Sequence, residues 1–255
     1  MPNQQIKLYW QAYEKKFGKI PLETFCLRYF PWSFWEPAKK RLDILLKCVN
    51  KNQKILDAGC GNGWASLFLS RKNFKVTSVD LSLKAIRRLK NLSNITGIKF
   101  TLVKADLLQL PFANKKFDII FSFDVLEHIF ELDKTIKELK RVLIKEGLLI
   151  VSLPNKWGSF SLLHDVLIER LLRKASKKGF EEKHVGLRSI IGWRHYFENN
   201  GFRIMQINNI EYLAPLFAFV NRKWFRIIVN LDVMISRWLP KFFSSEWLII
   251  IKKKA

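Results

Sequence analysis

An α/β fold, with a parallel sheet covered by helices on both faces, is predicted by three observations on the 255-residue chain. Short apolar runs rich in Ile, Val and Phe recur at 54–58, 74–79, 98–103, 117–123 and 147–153. Segments of helical period lie between them, at 63–72, 82–92 and 131–143. Three glycines at every second position, Gly59, Gly61 and Gly63, join the first run to the first helix. Strands that alternate with helices are joined most simply as βαβ units, which makes the sheet parallel and buries both of its faces.

Taken in chain order, residues 1–50 read as an N-terminal helical leader rich in aromatic residues (Tyr9, Trp10, Tyr13, Phe30, Trp32, Phe34, Trp35), ending in a helix over about 36–49. Residues 51–255 read as the main domain. Ser82 follows Asp80-Leu81 and suits the N-cap of the helix at 82–92, and Gly147 is placed to close the segment that begins at 131. Residues 156–187 decorate the domain with the amphipathic stretch SFSLLHDVLIERLLRK and a lysine-rich loop. A helix up to Asn200, a strand at 202–209, an apolar and basic insertion over 213–243, and the strand EWLIIIKKK complete the chain.

Composition excludes several classes. At 49% hydrophobic residues the chain has material for a core and is not disordered. Cys26, Cys48 and Cys60 are too few and too scattered for a disulfide framework or a structural zinc site, so a reducing, cytoplasmic compartment is expected. The polar, aromatic start MPNQQIKLYW is not that of a signal peptide. No apolar run approaches the roughly 20 residues of a membrane span. The net charge of +23 is spread as +7 over 1–54, +6 over 55–153 and +10 over 154–255, which suits flanks that meet an anionic surface.

The chemistry concentrates in ILDAGCGNGWASLFLS, residues 55–70. Glycine tolerates positive φ and leaves room for a ligand against the backbone, and the helix that follows aims free N–H groups at it. Asp80 ends the next strand about 20 residues on, where a carboxylate can take both hydroxyls of a ribose. A dinucleotide fingerprint, GxGxxG, needs its third glycine where this chain has Trp64 or Ser66. The spacing is GxGxG, with Asp57 two residues before the first glycine. A carboxylate there repels a pyrophosphate and suits a cation, and S-adenosylmethionine carries a sulfonium and an ammonium.

ILDAGCGNG, VDLS at 79–82, ADLLQLPF at 105–112, FDIIFSFDVLEHI at 117–129 and RVLIKEGLLIVSLPN at 141–155 resemble, in order and spacing, the motifs of class I S-adenosylmethionine-dependent methyltransferases. The resemblance implies a Rossmann-like seven-stranded sheet, mostly parallel with its last strand antiparallel. It places Asp57, Gly59, Cys60, Gly61 and Gly63 near the methionine end of the cofactor and Asp80 and Leu81 at the ribose. Asp106 and Leu107 fall at the adenine, and Phe123 and Asp124 beside the transferring methyl. Cys60 itself reads as a small hydrophobe.

Methyl transfer to a hydroxyl needs alignment and removal of a proton. Asp124, Glu127 and His128 are the candidates, sharing one face if a helical turn begins at Asp124. His184 is a further candidate. DVLEH, the Leu153-Pro154-Asn155 that follows, and His184-x-x-x-Arg188-Ser189 before GWRHYFENNGF are similar to quinone-biosynthesis O-methyltransferases and their relatives. In some of these an acid-x-x-Glu-His cluster holds a divalent cation. Its first acid is normally Glu where this chain has the shorter Asp124, and no metal is assigned. The expected acceptor is a small apolar, lipid-linked, quinone-like or glycan-type molecule. RNA methylation by the basic surface, and cofactor binding without turnover, are the alternatives. The absence of [DNS]PP[YF] after strand four argues against amino methylation by that route, and no cysteine is placed to be a pyrimidine C5 nucleophile.

In the insertion, Trp224, Phe225, Ile228, Leu231, Ile235 and Trp238 recur at helical spacing between Arg222, Lys223, Arg226, Arg237 and Lys241. The pattern fits a helix lying on the inner face of a membrane. It equally fits a core helix, or one wall of an apolar pocket with Leu162, Leu163 and Leu167. A nucleic-acid partner is less favoured, because the basic residues alternate with aliphatic ones and no RNA-binding module is recognisable.

Overall fold

The computed structural model describes residues 32–99, 101–155, 188–211 and 244–254, with the single positions 158, 224, 227, 228, 231, 232, 240 and 241. Tyr9, Trp10, Tyr13, Phe30, the stretch containing His184, and Phe225, Ile235 and Trp238 lie outside them.

Seven strands form one sheet: β1 Lys54–Ala58, β2 Lys75–Asp80, β3 Thr101–Lys104, β4 Phe117–Phe123, β5 Leu143–Pro154, β6 Phe202–Glu211 and β7 Glu246–Lys253. Their order is β3-β2-β1-β4-β5-β7-β6, and β7 runs antiparallel to both of its neighbours. The crossover helices are α2 Trp64–Arg71, α3 Leu83–Thr96, α4 Leu132–Val142 and α5 Ile190–Asn199, with α1 Trp32–Cys48 ahead of β1. The central strands are buried almost throughout, which is why their sequences read as unbroken apolar runs.

The two faces of the sheet carry separate cores. On one, Ile55, Phe121, Ile150 and Leu248 pack with Ala38, Leu42 and Leu45 of α1 and Phe68 and Leu69 of α2. On the other, Leu56, Ile120, Leu149 and Ile249 meet Ile136 and Leu139 of α4 and Trp193 and Phe197 of α5. Ser82 caps α3 as its position suggests, its hydroxyl accepting from the Ala85 N–H at 3.3 Å.

Three boundaries depart from expectation. α1 begins at Trp32, so Pro37 lies inside it and not in its first turn. The third strand starts at Thr101, three residues later than the apolar run. Gly147 does not close α4. That helix ends at Val142, Leu143 is already extended, and β5 runs through Gly147. The left-handed backbone falls on Glu146 instead, with φ 62°. Gly147 is glycine for space: a Cβ there would meet Leu143 Cδ1 at 2.7 Å and the Asp118 carbonyl oxygen at 2.9 Å.

Candidate active site

The carboxyl ends of β1, β2 and β4 bring the candidate residues to one edge of the sheet. At the first of these, the Gly59 and Cys60 N–H groups both donate to the Val79 carbonyl at 2.9 Å, tying the loop to the end of β2. Gly59, Gly61 and Gly63 all have positive φ, between 51° and 83°. A side chain at Gly63 would lie 2.0 Å from Leu89 Cδ2, so this glycine lets α2 approach α3. Gly61 has no atom within 4 Å of where a Cβ would be. It is exposed and leaves an open backbone concavity.

Asp80 holds that concavity in shape. One carboxylate oxygen accepts the Gly61 N–H at 2.7 Å and the other the Ser82 N–H at 2.8 Å. Each oxygen keeps a further lone pair for a ribose hydroxyl. Leu81 beside it is 64% exposed, an apolar surface free to meet a flat base. Asp106 is exposed just past β3, shaped by its bond from the Leu108 N–H at 2.9 Å. Leu107 is different: its side chain is buried in the core, which leaves only its backbone for the cofactor.

Asp57 is buried, and Ser66 Oγ donates to it at 2.6 Å while also lying 2.6 Å from Ser78 Oγ. Burial pushes its carboxyl up to about 7; the Ser66 bond opposes this, and the Asp80 charge adds to it. Its negative charge at neutral pH is therefore partial, and it braces α2 against β1 and β2 as well as facing the loop. Cys60 is buried, and burial followed by the Asp57 and Asp80 charges pushes its thiol up, as befits an inert small hydrophobe.

At the end of β4, Phe123 stacks on Trp64, with ring centroids 5.7 Å apart. The next residue, Asp124, has φ 55°. It is therefore outside the 3-10 turn Leu126–His128, and the shared helical face expected for Asp124, Glu127 and His128 does not form. Asp124 turns instead to Arg41 of α1, whose guanidinium spans both carboxylate oxygens at 2.9 and 3.2 Å. Ser152 of β5 donates to Asp124 Oδ1 and accepts from its N–H, both at 2.8 Å. These bonds hold a backbone conformation that a non-glycine residue rarely adopts.

Arg41 is buried and also grips Glu246 at the start of β7, with Nε donating to Oε1 at 2.8 Å and Nη2 to Oε2. Glu127 is buried behind this network, with Oε2 lacking a hydrogen-bond partner among the described residues. Burial, then the Asp124 charge, pushes its carboxyl up to about 8. Burial likewise raises Glu246, against the pull of Arg41. One guanidinium thus faces three carboxyl groups, and the cluster holds protons at neutral pH. His128 Nε2 lies 3.9 Å from Glu127 Oε1, with its imidazole partly open to solvent. Among the described residues no group of three or more His, Cys, Asp and Glu side chains is arranged to hold a metal ion.

Arg41, Glu246 and Ser152 were not singled out from sequence. A signal was present for the first two. Arg41 sits in the buried stripe Ala38-x-x-Arg41-Leu42-x-x-Leu45, and Glu246 heads an otherwise apolar strand, two places where a charge requires a partner.

The sheet order, the loop and Asp80 together define a nucleotide-binding α/β protein with its ligand at the carboxyl edge. Residues 56–151 match the family described as a methyltransferase domain. Over this segment the chain is similar to S-adenosylmethionine-dependent methyltransferases, and S-adenosylmethionine is the cofactor. An uncharacterized protein of Methanocaldococcus jannaschii is 26% identical over 212 residues, 83% of each chain. A ubiquinone biosynthesis O-methyltransferase of Pelagibacter ubique is 33% identical over 108 residues, 42% of this chain and 44% of that protein. The chain thus spans under half the length of that named relative. A SAM-dependent methyltransferase of Methanosarcina mazei shares the fold, with a TM-score of 0.60 and 18% identity over 83% of this chain and 97% of its own.

Proposed function

We propose that the chain methylates a hydroxyl oxygen of a small apolar or lipid-linked acceptor placed beside Phe123 and His128. The observation that carries this reading is the pairing of a partly open imidazole with a buried, proton-holding carboxyl, Glu127, at the end of β4. The named relative of Pelagibacter ubique, an O-methyltransferase of ubiquinone biosynthesis, supports a hydroxyl acceptor.

The residues fit the cofactor. Gly61 offers open backbone, Asp80 a carboxylate with spare lone pairs, and Leu81 an exposed apolar face. Bound there, S-adenosylmethionine supplies an electrophilic methyl whose leaving group is a neutral thioether. The protein's remaining tasks are alignment and proton removal. Phe123 and Trp64 form an apolar wall that excludes water. His128 accepts the acceptor's hydroxyl proton at a ring nitrogen, and Glu127 lies behind the imidazole, 3.9 Å from Nε2. Asp124 is fixed at the end of β4 by Arg41 and Ser152.

The test is transfer of radiolabelled methyl into fractionated cell extract, comparing the wild type with His128→Ala. Loss of about 100-fold or more in rate, with cofactor affinity within twofold, is expected of a general base. An unchanged rate would show that alignment alone suffices. NADH binding with no response to S-adenosylmethionine would remove the whole reading.

A further inference from the structure

We infer that the carboxyl edge of the sheet, together with the helical positions between β6 and β7, is a docking surface for an anionic lipid bilayer. The insertion leaves β6 after Glu211 and enters β7 at Glu246. Glu246 is paired in register with both Glu211 and Pro154, the last residue of β5. The insertion therefore starts and ends at the carboxyl edge, on the side of the glycine loop, Asp80 and Asp124.

Exposed apolar bulk gathers at the same edge. Among the described residues, Met205 in β6 is the one clearly exposed large hydrophobic that does not follow the carboxyl end of a strand. Leu83 opens α3, Phe130 precedes α4 and is 79% exposed, and Ile191 lies in the first turn of α5. Positions 224, 227, 228, 231 and 232 are helical. Trp224, Ile227 and Leu231 stand at i, i+3 and i+7 and are all exposed, whereas Asp232 is only 4% exposed. Here the acid faces the protein and Trp224, Ile227 and Leu231 face out, with Ile228 half-buried between them.

Charge selects the occupant. Residues 213–243 hold five basic residues and one acid, the buried Asp232. Lys84, Arg87 and Arg88 are exposed next to Leu83, Arg194 is exposed close to Ile191, and Lys241 is exposed at the end of the insertion. Two exposed acids of this edge are engaged within the chain, Glu131 by Lys134 and Asp133 by the Tyr196 hydroxyl. An anionic bilayer uses both features, taking the apolar side chains into its acyl boundary and the cations at its phosphates. A nucleic acid has no use for Ile227 and Leu231, and a second copy would bring like charges together. The inference rests on the proposed function for one consequence: the acceptor is an amphiphile reached from the bilayer, its hydroxyl presented to His128.

The test is co-sedimentation of the full chain with phosphatidylglycerol-containing vesicles and with pure phosphatidylcholine vesicles. The wild type is expected to pellet with the first, not the second, and to be released by high salt. Trp224→Glu with Leu231→Glu is expected to weaken binding about tenfold or more. Met205→Glu, outside the edge, is expected to leave it unchanged. Calorimetry with S-adenosylmethionine on each variant confirms folding and tests the cofactor assignment separately, since vesicle binding requires no turnover. The proposal is overturned if the wild type stays in the supernatant with anionic vesicles at low salt. It is also overturned if the folded double variant pellets like the wild type, or if light scattering shows a dimer that the double variant splits.

Discussion

Around β1 and β2 the ligand-facing groups are held by bonds that span little sequence. The Gly61 N–H reaches Asp80 across 19 residues, and Ser66 reaches Asp57 across 9. At the ends of β4, β5 and β7 the corresponding bonds join Arg41 to Asp124 across 83 residues and to Glu246 across 205. The cofactor region is thus a local device of loop, strand end and helix start, whereas the proposed acceptor region exists only once distant elements have packed. A local device can be kept while the distant network changes.

The comparison is broken most severely at Arg41. Arg41→Met leaves buried Glu246 without its counter-charge, at a cost of about 3–5 kcal/mol in stability, the scale for uncoupling a buried pair. Asp124 is 43% exposed and screened by water, so the loss arises mainly at Glu246. Adding Glu246→Gln is expected to restore more than half, because the orphaned charge is then gone. Urea denaturation of the single and double variants measures both effects. Cofactor affinity of the folded protein is expected to stay within twofold, since Arg41 bonds nothing in the glycine loop among its described partners. A parallel collapse of cofactor affinity would show the two regions to be one unit.

The converse experiment is Asp80→Asn. The amide keeps one acceptor oxygen, so either the Gly61 or the Ser82 N–H comes to face an NH2 group. Loss of the charge-assisted bonds and of the ribose grip is expected to weaken S-adenosylmethionine binding by about 1–3 kcal/mol, measured by calorimetry. The acceptor cluster is untouched, and the pH dependence described below is expected to survive.

This division also decided what was legible in the sequence. The strand run, the three glycines and Asp80 are contiguous enough that periodicity and spacing place them almost residue by residue, and the parallel order with an antiparallel β7 follows from the motifs they resemble. Asp124 does follow the end of β4, but the helical turn on which a face shared with Glu127 and His128 depends does not begin there, because the chain takes φ 55° to reach Arg41. Nothing local in FDVLEHI encodes that turn; its cause is a guanidinium on α1. Gly147 was misread for the same kind of reason. A glycine after a helical run suggests a C-cap, but its neighbours Leu143 and Asp118 demand the missing side chain. Leu107 shows the converse limit: it sits in a cofactor motif, yet its side chain serves the core.

The smallest expected effect separates the two regions by pH. Glu127 is raised from 4.5 to about 8 and Asp57 from 3.8 to about 7, each chiefly by burial. Between its unfolded and folded values each group holds a proton when folded and releases it on unfolding. The folded state therefore binds more protons, and stability falls as pH rises, by up to about 1.4 kcal/mol per pH unit per group. Below the unfolded values the contribution is complete; above the folded values it has been lost. Asp57 is about half titrated at pH 7, so Glu127 supplies the larger part of the slope between pH 7 and 8. Glu127→Gln is expected to flatten the stability curve by about 1 kcal/mol across that interval, whereas Asp57→Asn flattens it mainly below pH 7. Urea midpoints at half-unit pH steps measure both. If the slope between pH 7 and 8 persists in Glu127→Gln, the proton of the acceptor cluster belongs to Glu246, the other carboxyl raised by burial beside Arg41.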